Sequence, residues 1–173
     1  MPLDLDSICI EPLNDLHERA GFECADKGIQ NFCRNGVARA NRQNTIRAFV
    51  ARQEESPAVL GFYYLTTTSI EHEAVGRAVQ DRFALLDKVP AVYLGMLGVH
   101  EPLMRQGLGT LLMRDAFVRV LDISNSAGVF ALTLDAVDEK AAGYYERFGF
   151  QRFTEAGLEM FIPLGTIQQL GLR

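Results

Sequence analysis

The spacing of apolar and polar positions divides the chain into strand-like and helix-like stretches. Ser7-Ile-Cys-Ile-Glu-Pro-Leu13 alternates well enough for a first strand that closes near Pro12. Asp26 is a helix-capping residue, and Ile29, Phe32, Cys33, Val37 and Ala40 then recur at three- and four-residue steps. That stripe predicts a helix from about Lys27 to Asn44, with Arg34, Arg39 and Arg42 mostly off the stripe and toward solvent. A strand over Arg47–Arg52 follows, and Ser56-Pro57 marks a turn. Val59–Ile70 is rich in aromatic and β-branched residues, as a half-buried strand should be.

The polar stretch from Glu71 to Asp87 predicts only a short helix near Gln80–Leu86, ended by Pro90. Ala91–Val99 reads as a buried strand, and Gly95 and Gly98 within it predict a bulge or a close backbone approach. The clearest helix spans Gly107–Ser126, with an apolar face of Leu108, Leu111, Leu112, Phe117, Val118 and Leu121. A strand at Phe130–Ala136, a helix at Asp138–Arg147 and a last strand at Glu159–Leu164 complete the chain. The resulting order, β-α-β-β-β-α-β-α-β, predicts a single α/β or α+β domain, residues 1–173, around one mixed sheet.

Composition narrows the class. The three cysteines, Cys9, Cys24 and Cys33, are odd in number and form no C-x-x-C pair, which predicts reduced thiols and no metal site. The first residues hold no basic region or apolar signal core, and no run approaches the ~18 apolar residues of a membrane helix. A cytoplasmic protein without a membrane partner is expected. The net charge of −5 argues against nucleic acid, but it is an average of unlike parts. Residues 27–53 hold Lys27, Arg34, Arg39, Arg42, Arg47 and Arg52 and no acid, so this segment carries +6 and the remainder −11.

The chemistry concentrates at Arg105-Gln106-Gly107-Leu108-Gly109-Thr110, where loop meets helix. Unpaired N–H groups and the positive end of the helix dipole favour a phosphate there, and Arg105 can add a charge-assisted contact. A Gly-x-Gly alone also suits a tight turn. It is neither a Rossmann fingerprint, lacking the third glycine, nor a P-loop, lacking Gly-Lys-Ser/Thr.

Context specifies more. Leu94-Gly-Met-Leu-Gly-Val-His-Glu-Pro-Leu-Met-Arg-Gln-Gly-Leu-Gly-Thr-Leu-Leu112 resembles the central cofactor-binding motif of the GNAT acetyltransferases. Asp138-Glu-Lys-Ala-Ala-Gly-Tyr-Tyr-Glu-Arg-Phe-Gly-Phe150 resembles that family's second signature. Met104 stands where the family often has Gln or Arg, and Asp138 where it usually has Asn. The resemblance implies a mostly antiparallel central sheet with splayed central strands, and acetyl-CoA as cosubstrate. It places backbone groups of Leu97, Gly98 and Val99 at the thioester, and the pyrophosphate on Arg105, Gln106, Gly107, Leu108, Gly109 and Thr110. It makes Tyr145 the general acid for the departing thiolate, with Tyr144 the adjacent competitor. His17, His72 and His100 are isolated in sequence, and spacing does not choose a base among Glu71, Glu73 and Asp135. An α-amine with a pKa near ~8 is already partly neutral at cellular pH, so a base is optional.

The N-terminal half, from Phe22-Glu-Cys-Ala-Asp-Lys-Gly-Ile-Gln-Asn-Phe-Cys33 through the arginine-rich helix, resembles the tRNA-acetylating toxins of bacterial toxin–antitoxin pairs. That resemblance implies an aminoacyl-tRNA acceptor, blocked translation, a ribbon-helix-helix antitoxin as partner and a homodimer. Arg34, Arg39, Arg42 and Arg47 are the candidate nucleic-acid contacts, although a solvated basic helix face has the same pattern. Acetylation of a small amine or a protein N-terminus, and a non-catalytic binding module of this fold, are the alternatives.

Overall fold

A computed structural model describes residues 2–82 and 87–172. Seven strands hydrogen-bond in the order β1-β2-β3-β4-β5-β7-β6. They are β1 (Ile8–Pro12), β2 (Arg47–Gln53), β3 (Gly61–Glu71), β4 (Lys88–Val99), β5 (Ala131–Asp135), β6 (Gln151–Arg152) and β7 (Glu159–Pro163). β1–β2, β2–β3, β5–β7 and β6–β7 pair antiparallel, while β4–β5 is parallel. The sheet is therefore mixed and mostly antiparallel, as expected. Residue contacts divide the chain into two compact units, one of residues up to Thr66 with Gly95–Ala116, the other of Thr67–Leu94 with the residues from Phe117 onward.

In the first unit, β1 and β2 run in register from Ile8↔Gln53 to Pro12↔Phe49. The predicted helix after Asp26 forms, and the Asp26 carboxylate accepts from the Gly28 and Ile29 amides at 2.8 and 3.1 Å. It is not one α-helix. α1 (Lys27–Asn31) passes into a π-helical turn at Phe32–Gly36 before α2 (Val37–Arg42). The wider turn moves carbonyls off the regular ladder, and the Arg19 guanidinium donates to those of Cys33 and Arg34 at 2.9 and 3.0 Å. Beneath it Phe22, Cys33, Val37, Ala48, Val50 and Phe62 form a buried core. Each large side chain there contributes roughly 1.5–3 kcal/mol by leaving water.

In the second unit, β5 lies between β4 and β7, with Ala91↔Ala131 on one side and Ala131↔Pro163 on the other. A parallel pair needs a crossover, which α4 (Leu108–Ser124) supplies, its residues up to Ala116 belonging to the first unit and those from Phe117 to the second. The buried face of α4 is Leu108, Leu112, Met113, Ala116, Phe117, Val120 and Leu121. Leu111 and Val118 are only half-buried, because Met113, Ala116 and Val120 hold the inward positions.

Three expectations change here. α3 (Arg77–Arg82) begins before the predicted Gln80–Leu86 helix, whose residues 83–86 lie outside the described residues. Pro90 lies inside β4, where its carbonyl accepts from the Phe130 amide at 2.8 Å. A short helix α6 (Leu164–Gln168) follows β7, and α5 (Glu139–Glu146) has the predicted start. Among the described residues no helix is long and apolar enough to cross a membrane.

Candidate active site

The loop before α4 is shaped by two backbone positions. Arg105 has φ +61° and Gly107 φ +92°. Left-handed residues flanking a single position turn successive N–H groups toward one side, an arrangement suited to an anion. Glycine tolerates the conformation at position 107, whereas Arg105 adopts it against the ordinary preference of an L-residue. The first turn of α4 carries no acid, and Arg105 is exposed. These features fit a phosphate group: an open helix start, a left-handed loop and an adjacent guanidinium.

The six loop residues have unlike roles. Gln106 does not offer its side chain outward. Its Oε1 accepts from the Leu3 amide at 2.6 Å and its Nε2 donates to the Pro102 carbonyl at 3.3 Å. Leu108 is buried in the core, so its side chain anchors α4 and only its backbone can serve a ligand. Gly109 and Thr110 occupy the first turn of α4. Met104, the departure from the motif, is 49% exposed and brings no polar group.

Within β4 the left-handed residue is Met96, φ +49°, between the two glycines. The glycines mark close approaches instead. A Cβ on Gly98 would stand 2.7 Å from Ile29 Cγ2 of α1. Leu97, Gly98 and Val99 thus end β4, just before the 3-10 turn Glu101–Leu103 that leads into the loop.

Tyr145 belongs to the second unit, on α5. Its ring meets Tyr144 at 5.4 Å and Phe150 at 5.8 Å, both edge-on. Burial, reinforced by Tyr144, pushes its phenol up to about 12. The group therefore stays protonated at neutral pH, as a donor must. Tyr144 packs on Phe148 at 5.1 Å and lies under the Arg147 guanidinium at 5.3 Å.

Asp138, in place of the usual Asn, caps α5 by accepting from the Ala141 amide at 2.7 Å. Two of the three candidate carboxylate bases are engaged elsewhere. Asp135 accepts from the Tyr93 hydroxyl at 2.9 Å, and Glu71 pairs with Lys88 at 3.3 Å. His17 lies 2.8 Å from Glu11, His72 meets the Gln80 carbonyl at 2.9 Å, and His100 Nδ1 accepts from the Glu23 amide at 3.1 Å. Among the described residues no group of three His, Cys, Asp or Glu is arranged to hold a metal.

The arginines separate into two kinds. Arg34 is half-buried and donates from Nε to the Phe22 carbonyl at 2.7 Å, so part of it holds the fold. The π turn brings it there, against the expectation that it lies off the stripe toward solvent. Arg39, Arg42 and Arg47 are exposed, Arg42 within 3.8 Å of Asp15 and Arg47 donating to Asn44 at 3.1 Å. Arg52 is turned inward to Glu11 at 2.7 Å. Sequence reasoning missed Arg152, which bonds Glu139 and Glu146 of the Tyr145 helix. Acids seven residues apart on one helix face were the available signal.

A mixed sheet with a parallel central pair, and a helix start open to phosphate, define an acyl-carrier-dependent transferase fold. Residues 44–152 match the acetyltransferase (GNAT) domain, and the chain belongs to that family. A probable toxin TacT from Sinorhizobium fredii is 27% identical over 93% of each chain. A tRNA-acetylating toxin from Mycobacterium tuberculosis is 29% identical over 80% of this chain and 81% of its own. The structure of AtaT complexed with acetyl-methionyl-tRNAfMet superposes with a TM-score of 0.87 at 27% identity, covering 94% of this chain and 98% of that one. A mutant AtaT toxin bound to the C-terminus of the antitoxin AtaR and acetyl-CoA gives 0.79 at 26% identity, over 96% and 99%.

Proposed function

We propose that this acetyltransferase moves the acetyl group of acetyl-CoA to the α-amine of an amino acid charged on tRNA, and thereby blocks translation. The observation that carries the reading is the likeness, over 80% or more of the chain, to a tRNA-acetylating toxin, to a probable toxin and to AtaT complexed with acetyl-methionyl-tRNAfMet. Arg39, Arg42 and Arg47, exposed on one short stretch of chain, support it independently as phosphate contacts. In this reading Arg105 and the backbone of Gln106–Thr110 hold the pyrophosphate. Backbone groups of Leu97, Gly98 and Val99 bind the thioester, where an N–H stabilises the oxyanion. Tyr145 donates to the leaving sulfur. The α-amine attacks as its neutral form, a useful fraction at cellular pH without a protein base. The whole chain, 1–173, works in the cytoplasm as one acetyltransferase domain, as a homodimer held in check by a ribbon-helix-helix antitoxin.

Mass spectrometry of bulk charged tRNA incubated with the protein and labelled acetyl-CoA tests this directly. N-acetylated aminoacyl ends are expected, and their formation falls steeply with added salt. Arg39→Glu with Arg42→Glu abolishes tRNA acetylation while acetyl-CoA still binds. Unchanged acetylation in that variant overturns the assignment of the basic segment. Tyr145→Phe lowers turnover about 10²- to 10⁴-fold with cofactor affinity nearly intact, and unchanged turnover removes Tyr145 as the acid.

A further inference from the structure

Helix α5 is eight residues long, shorter than the ~12–15 that a helix needs to persist alone in water. Gly143, near its middle, weakens it by about 1 kcal/mol relative to alanine. Its geometry, and with it the direction of Tyr145, must come from contacts outside the helix. Asp138 caps the first turn and Ala142 is fully buried. Tyr145 packs edge-on against the buried Phe150 at 5.8 Å, and Tyr144 against Phe148 at 5.1 Å. To these ring contacts, which fix no direction by charge, a guanidinium adds a polar tie. Arg152 donates from Nη1 and Nη2 to the two carboxylate oxygens of Glu139, at 3.0 and 2.7 Å, and from Nε to Glu146 at 2.8 Å. Glu139 opens the helix and Glu146 ends it, on the same face. Arg152 sits in β6, opposite the fully buried Met160 of β7, and its side chain is 20% exposed.

We propose that Arg152 is a positioning residue for acetyl transfer, fixing the rotation and axial placement of α5 so that the Tyr145 hydroxyl meets the leaving sulfur. An exposed ion pair adds little stability. A planar fork on one carboxylate, with a third donor on another two turns away, gives direction that a point charge does not. The phenol oxygen lies roughly 9 Å from the helix axis, given a backbone radius near 2.3 Å, so a turn of about 10° displaces it by roughly 1.5 Å. Misplacement of that size costs on the order of 100-fold in rate.

The proposal rests on Tyr145 as the acid, and a double-mutant cycle separates the two claims. Rates are read with bulk aminoacylated tRNA and labelled acetyl-CoA. Arg152→Gln is expected to lower kcat roughly 10- to 100-fold with the KM for acetyl-CoA within about twofold. In the Tyr145→Phe background the same change should cost almost nothing further, because both act through one group. The thermal midpoint, measured alongside, separates misplacement from unfolding. If Arg152→Gln does not fold, Glu139→Ala with Glu146→Ala breaks the same contact from the helix side. An unchanged kcat, a loss that multiplies with that of Tyr145→Phe, or a raised KM alone overturns the role of Arg152. A Tyr145→Phe variant that keeps full kcat with Arg152 intact removes the acid itself, and the positioning role with it.

Discussion

The starts of α4 and α5 are alike in backbone and, in the proposed function, opposite in use. Each presents unpaired N–H groups and the positive end of a helix dipole. α5 satisfies its own start: Asp138 accepts from the Ala141 amide, and Glu139 adds a second acid in the first turn. α4 has no acid in its first turn and is approached through left-handed backbone at Arg105 and Gly107. A helix start is therefore not in itself a site. What distinguishes the two is whether the chain supplies the anion or leaves it to a ligand, and that choice is written in which residues precede the helix.

The sharpest break of this contrast is Arg105→Gly. The substitution removes the guanidinium while keeping a backbone that a left-handed φ suits. A charged hydrogen-bonding contact contributes about 1.5–3 kcal/mol, so the Kd for acetyl-CoA, read by calorimetry, should rise roughly 10- to 100-fold. The thermal midpoint should barely move, because relieved strain and added unfolded-state freedom are each about 1 kcal/mol and opposed. Unchanged affinity would show that α4 binds phosphate by backbone alone. A lowered midpoint would make Arg105 a structural residue.

Acid separates the two starts next. The Arg152 hydrogen bond holds the Glu139 carboxyl below its usual value. A depressed carboxylate contributes its stability above the unfolded value near ~4.3 and loses it as pH falls through the lower folded one. Amide-exchange protection in α5 should therefore drop below about pH 4, relative to the first turn of α4, which carries no acid to protonate. Parallel loss at both starts would show global acid unfolding in place of a local release.

Much of this was legible in the sequence, and its limits follow from range. Asp26, Asp138 and the loop glycines act on neighbours two or three residues away, so their roles are local and readable. The period of α4 gave its face apart from Met113, Ala116 and Val120. What escaped depends on distant partners. The π turn at Phe32–Gly36 breaks the helical count and carries Arg34 to the Phe22 carbonyl, which no periodicity contains. Gln106 reads as a cofactor contact, but that its side chain is taken by Leu3, 103 residues away in sequence, leaving only its backbone for the role, no local pattern states. The close approaches in β4 were legible from Gly95 and Gly98, yet the left-handed residue between them, Met96, was not. Tyr145 was readable as the acid candidate, but its raised pKa comes from burial, reinforced by the electrostatic effect of Tyr144, which the motif alone does not state.

The smallest effect tests Asp138 itself. Asp138→Ala removes the cap from α5 and should lower stability by about 1 kcal/mol, with acetyl-CoA affinity unchanged. Asp138→Asn restores the residue usual in the motif. Its amide oxygen can accept from the Ala141 N–H as the carboxylate does, so stability should fall by no more than a few tenths of a kcal/mol, the loss of the charge–dipole attraction. Acetyl-CoA affinity then decides between two functions for one position. If it stays level, the residue at 138 is a cap in either form, and α5 has no part in holding the cofactor. If Asn tightens binding, the side-chain N–H2 has reached the ligand, and α5 becomes a second helix start that serves acetyl-CoA once its acidic cap is neutral. The 2.7 Å bond to Ala141 favours the first outcome, since a cap held that closely keeps its oxygen turned into the helix and away from any ligand.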